Sequence, residues 1–169
     1  SGPYCSGNTI QLSITGQNLI SYVWSGPNNY ISSQASPSIA NATVANGGNY
    51  SVIVTATDGC TGTASTGVVV YALPSLNINQ LPVAPVCPGI DIALTANAPT
   101  AISYLWNNNS TSSSRIVNTS GNYAVTVTDA NSCSASASYT VAYDPVIEIT
   151  PNNISAICSG ASLTFHFNN

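Results

Sequence analysis

The chain has 169 residues with one Arg, no Lys, five acidic residues and a net charge of −4, so it is almost uncharged. That excludes the basic footprint that nucleic acid or an anionic membrane surface requires. The longest apolar stretch, Val68 to Leu73, is far too short to insert across a bilayer. Ser, Thr and Asn make up 62 of the residues, so hydroxyls and amides supply the polar surface, and with few ion pairs to screen, salt should matter little.

Taken in chain order, Ile10, Leu12 and Ile14 alternate with polar residues and predict a strand over 9–15, strand B of a sandwich. Strand C follows at 20–25 with Trp24, then E near 38–44, F at 49–57 and G at 63–71. A second set is predicted at 77–80 (A), 90–96 (B), 101–107 (C), 114–118 (E), 121–129 (F) and 135–143 (G). Leu163, Phe165 and Phe167 alternate again at the end of the chain. Turn residues separate these runs, as in Gly26-Pro27-Asn28-Asn29, Asn46-Gly47-Gly48, Asp58-Gly59 and Asn107-Asn108-Asn109. Short strands of period two with frequent turns predict an all-β, β-sandwich fold.

The two sets are copies. Cys5-Ser6-Gly7 recurs as Cys87-Pro88-Gly89 and Cys158-Ser159-Gly160. Tyr22-Val23-Trp24 recurs as Tyr104-Leu105-Trp106, and Gly48-Asn49-Tyr50 as Gly121-Asn122-Tyr123. The first Cys precedes the Trp by 19 residues in both copies, and the Tyr precedes the next Cys by 10, while the segment between Trp and Tyr varies from 26 to 17. A fixed frame around a variable loop predicts tandem modules at 1–72 (truncated at its N-terminus), 73–143 and the opening strands of a third at 144–169. The prolines of Ala72-Leu73-Pro74 and Asp144-Pro145 predict stiff linkers. A chain that opens just before a repeat cysteine and closes inside a strand pattern reads as a window of a longer polypeptide.

Modules of about 70 residues bury little core and often need a staple. The spacing predicts disulfides Cys5–Cys60 and Cys87–Cys133, each closing a loop worth roughly 4 kcal/mol, formed in an oxidising compartment. Cys158 is left unpaired within the sequence. Trp24 and Trp106 are expected between the sheets, and Tyr50 and Tyr123, which open strand F, as tyrosine corners.

The ordered pattern of Cys-x-Gly, Tyr-x-Trp, Gly-Asn-Tyr-x-Val-x-Val-Thr and a second Cys resembles the Ig-like and PKD-like repeats of secreted Bacteroidota proteins. Such repeats fill the giant surface adhesins of gliding bacteria and the tails of some secreted polysaccharide-degrading enzymes. The resemblance implies tandem Ig-like modules at the cell surface and export by the type IX secretion route. No C-terminal sorting domain is visible, so that route rests on the resemblance alone.

Chemistry-bearing residues are few. Asp58 and Asp129 follow strand F in equivalent places, where a turn role competes with weak calcium ligation. Asp144 and Glu148 near the second junction are weak calcium candidates, and no other cofactor is expected. His166 is the only histidine, so neither full module can assemble a Ser-His-Asp or Cys-His group. Tyr30, Tyr71 and Tyr143 are candidates for stacking on glycans, though Tyr71 and Tyr143, at the ends of the G strands, fit packing at module junctions better, and the loop 27–37, set against 107–113, is where binding would vary between modules. The expected function is therefore non-enzymatic: an extracellular, cell-surface structural or adhesive segment, an adhesin stalk or filament. Its partners would be neighbouring modules, surface glycans or like chains, without nucleic acid or membrane insertion. The alternatives are a carbohydrate-binding accessory module and a self-assembling fibre subunit.

Overall fold

Alternating aliphatic and hydroxyl residues separate onto two faces only when the backbone is extended, and the described residues are all-β apart from one short 3-10 turn. The computed structural model describes residues 3–84 and 86–144, with the backbone alone of 146–147 and 157–158. Two compact units result, Ser1–Leu73 with Asn131–Cys133, and Pro74–Ala130 with Ser134–Asn169.

The first unit contains β1 (Tyr4–Cys5), β2 (Ile10–Gln11), β3 (Leu19–Gly26), β4 (Tyr30–Ser32), β5 (Ser38–Ile39), β6 (Gly48–Ala56), β7 (Thr61–Val68) and β8 (Val70–Tyr71). One sheet has the order β4-β3-β6-β7; β2 pairs with β5, and β1 runs parallel to β8. Ile10, Leu12, Trp24, Tyr50, Val52 and Val68 form the core. The predicted strands over 9–15 and 38–44 are shorter than expected. Residues 44–46 turn into the 3-10 helix because Asn46 Oδ1 accepts the Thr43 N–H at 2.8 Å and its hydroxyl at 3.0 Å. Such local bonds compete with a strand ladder for the same backbone groups.

The second unit contains β9 (Asn77–Leu81), β10 (Ile92–Asn97), β11 (Ala101–Trp106), β12 (Ser114–Val117), β13 (Gly121–Asp129) and β14 (Ser134–Val141), followed by the pair β15 (Val146–Ile147) and β16 (Ile157–Cys158). Its sheets are β12-β10-β9 and β11-β13-β14, closed on Ile92, Leu94, Trp106, Val125, Val127 and Val141. The hairpins β6–β7 and β13–β14 share one register: Tyr50 faces Thr66 as Tyr123 faces Tyr139.

The disulfides differ from expectation. Cys5 is bonded to Cys133, closing a sequence separation of 128. Cys60 is a free, exposed thiol, and Cys87 is disulfide-bonded although its expected partner is taken. The cause is strand direction. Cys60 immediately precedes β7, whereas Cys5 pairs with Tyr71 beyond the other end of that strand. An extended run from residue 60 to 71 covers about 30 Å or more, and a disulfide needs its Cα atoms within about 7 Å. The second unit repeats the problem: Val86 O accepts the Asp144 N–H, past the end of β14, while Cys133 precedes its start. Cys158 has no described side chain.

Candidate interaction faces

The outward faces of the two larger hairpin sheets carry the most regular exposed chemistry. On the first unit, Val23, Ile53 and Thr63 lie in one cross-strand row, Ser25, Ser51 and Ser65 in the next, and Ser21, Thr55 and Thr61 in a third. The second unit has Leu105, Thr126 and Ser136 in one row and Ser103, Thr128 and Ser134 in another. The Thr126–Ser136 hydroxyls are 2.8 Å apart and the Thr128–Ser134 hydroxyls 2.9 Å apart, so these side chains hold one another in place. Each hydroxyl still has acceptor capacity to spare. Val23 and Ile53, 59% and 49% exposed, place two aliphatic groups within the first grid, and Leu105, 51% exposed, places one within the second. The result is a neutral hydroxyl surface with a small apolar centre, its hydroxyls paired on the second unit. Sequence reasoning passed over it, although Thr126, Thr128, Ser134, Ser136 and Ser138 alternate plainly.

The aromatic residues anchor the loops. Trp24 Nε1–H donates to Gln34 O at 2.9 Å, and Trp106 Nε1–H to Ser112 O at 2.8 Å, so each buried indole ties down the loop that differs most between copies. The Tyr50 hydroxyl donates to Asn46 O at 2.8 Å, and the Tyr123 hydroxyl to Thr119 O at the same distance. Each corner thus closes onto the residue four positions upstream. Burial pushes the Tyr50 phenol up from its ordinary value, with nearby Tyr30 adding to the effect. Arg115, the single cation, lies 4.6 Å from the centre of the Tyr123 ring and donates to Asn107 Oδ1 at 2.7 Å.

Two of the glycan-stacking candidates, Tyr30 and Tyr143, have their side chains engaged within their units. Tyr30 packs edge-on against Tyr50 at 5.6 Å. The Tyr143 hydroxyl donates to Ile90 O at 2.7 Å. Tyr71 is half-buried, and its carbonyl accepts from both the N–H and the hydroxyl of Ser6.

Asp58 accepts the Cys60 N–H at 3.0 Å, a turn bond that holds its carboxyl below the usual range. Asp129 is buried at the end of β13. The Asp144 backbone N–H is bonded to Val86 O, while its proposed companion Glu148, like His166, lies outside the described residues. Among the described residues no three His, Cys, Asp or Glu side chains are grouped to hold a metal, and no helix is long and apolar enough to cross a membrane.

No family model matches the sequence, and no curated protein matches it. Solved structures do. The chain is similar to murine CEACAM1b at 12% identity, covering 83% of this chain and 95% of that one, with a TM-score of 0.41. It is similar to extracellular domains 3–5 of Drosophila OTK at 13% identity, covering 86% and 59%, with a TM-score of 0.46. It is also similar to three N-terminal domains of the bacteriophage RB49 outer capsid protein Hoc, at 20% identity, covering 86% and 59%, with a TM-score of 0.38. The chain spans less than two thirds of the OTK and Hoc structures. These are likenesses of fold alone, each with a TM-score below 0.5.

Proposed function

We propose that the chain is a structural and adhesive segment of a long extracellular repeat protein, attached at the cell surface as an adhesin stalk or filament. The observation that carries this reading is the Cys5–Cys133 disulfide joined to two all-β units. Disulfides persist in oxidising compartments, and a bond across so long a stretch of chain makes a durable covalent frame. The neutral hydroxyl faces support contacts with surface glycans or like chains that are insensitive to ionic strength. Origin in a gliding bacterium and type IX export rest on the Cys-x-Gly, Tyr-x-Trp and Gly-Asn-Tyr motifs.

The test is antibody labelling of intact source cells, followed by electron microscopy of the released native protein. Labelling without permeabilisation and thin filaments with regular beads are expected. Signal only after permeabilisation would overturn the reading.

A further inference from the structure

The two units cover their corner tyrosines differently. In the first unit the Tyr50 ring is met edge-on by another aromatic, Tyr30, at 5.6 Å. In the second unit the corresponding ring, Tyr123, is met by the guanidinium of Arg115, 4.6 Å from its centre. One seat holds a neutral aromatic and the other a cation, in a chain with no further Lys or Arg. Covering the ring does not by itself require the charge.

Arg115 is also held in position. It stands on β12, an edge strand of its sheet. Its Nη1 donates to Asn107 Oδ1 at 2.7 Å, and Asn107 Nδ2 donates in turn to Asn122 O at 3.2 Å. A guanidinium carries five N–H donors, and among the described residues only Nη1 of Arg115 finds an acceptor. It makes no ion pair among the described residues, although the chain has five acidic residues. The segment beside it is equally fixed. Asn109 N–H bonds Trp106 O, Trp106 N–H bonds Ser110 O, and the Trp106 indole N–H bonds Ser112 O. Every residue from 107 to 114 is Asn, Ser or Thr, and all but Ser110 are exposed.

We propose that Arg115 and the segment 107–114 bind an acidic saccharide. The guanidinium takes the carboxylate of a uronic acid residue, and the neighbouring carboxamides and hydroxyls take its ring hydroxyls. Two features select this ligand. An anchored guanidinium with donors to spare matches a carboxylate through two parallel N–H···O bonds. The side chains around it are uncharged donors and acceptors, which suit a polyol and offer nothing to a second charge. The inference rests on the adhesive reading, because a protein at the cell surface is one that meets polymers of acidic sugars. It adds a contact that salt weakens, unlike those of the neutral hydroxyl faces. Its failure would leave that reading standing, since a stalk needs no ligand.

The test is an NMR titration of the whole chain with methyl glucuronoside, methyl glucoside and acetate, read at the Arg115 Nε–H and the Asn107 side-chain amide. The glucuronoside should give saturable shifts with a dissociation constant of about 1–10 mM. The glucoside lacks the carboxylate and acetate lacks the ring, and each should bind at least about tenfold more weakly, one decade in affinity. This series requires no change to the protein, so misfolding cannot imitate it. Arg115→Lys keeps the charge and loses the fork; with the Trp106 indole signal native, it should weaken glucuronoside binding at least about fivefold, half a decade or more in affinity. Absence of saturation by about 50 mM glucuronoside, far above the expected constant, would overturn the proposal. So would equal binding of the glucoside, equal binding of acetate, or an Arg115→Lys variant that binds as well as the native chain.

Discussion

Tyr50→Phe is the sharpest perturbation of the first unit. It removes one oxygen from a fully buried ring and leaves the packing of that ring intact. The lost bond, to Asn46 O at 2.8 Å, fixes the turn that leads into β6. A neutral hydrogen bond contributes about 1 kcal/mol net, and an orphaned buried acceptor costs about 1–3 kcal/mol more. Asn46 is only half-buried, so water can reach its carbonyl and the total belongs near the lower end, at about 1–1.5 kcal/mol. For a unit of this size that lowers Tm by roughly 5–8 °C. Urea titration followed by the two indole N–H signals separates the units, since Trp24 reports the first and Trp106 the second. The Trp24 midpoint should fall with its m-value unchanged, and the Trp106 midpoint should stay. The substitution also changes the alkaline limb. The folded-state pKa of Tyr50 is raised above its ordinary 10.0. Its contribution is therefore complete below pH 10.0 and is lost as pH rises through the raised value, as the unfolded chain ionises first. Tyr50→Phe should flatten that loss in the first unit. A midpoint change below about 0.3 kcal/mol, less than even a weak net hydrogen bond, or an unaltered alkaline limb, would refute the corner as an energetic feature.

Gly26→Ala should destabilise the first unit by about 1–3 kcal/mol, because a Cβ there would collide with Cδ1 and Cε1 of the Tyr50 ring. Gly67→Ala, whose Cβ would meet nothing within 4 Å, should be neutral or slightly stabilising; urea midpoints that fail to separate the two would contradict the packing around Tyr50. Maleimide without reductant should modify Cys60, and should reach Cys5 and Cys133 only after reduction. Peptide mass mapping reads all three, and native modification of Cys5 would exclude the bond to Cys133.

Strand positions were legible because period two is a local property. The alternation through Tyr123, Val125 and Val127 marks β13 from end to end. The strand expected to reach residue 44 was misjudged because a Thr43–Asn46 side-chain bond outcompetes pairing there, and no hydrophobic pattern reports that. The cysteine pairs were illegible for a different reason. Equal spacing in both copies identified Cys60 and Cys133 as equivalent, yet spacing along a chain carries no information about which end of a strand a residue occupies. Only the parallel pairing of β1 with β8 places Cys5 away from Cys60. The hydroxyl grids were open to reading, since Ser and Thr alternate on β7 and β14, but such residues are so abundant in this chain that the alternation was submerged.

The Cys5–Cys133 bond also determines what happens when the chain is cut. Peptide bonds at exposed loop tips are the ones proteases reach, and both the 34–36 and 107–109 stretches are exposed. A single nick at either place falls between the bonded cysteines and releases nothing, because the two pieces stay joined through sulfur. In an oxidising compartment, where such a bond persists, the segments on either side of the nick stay connected after damage that would divide an unbridged chain.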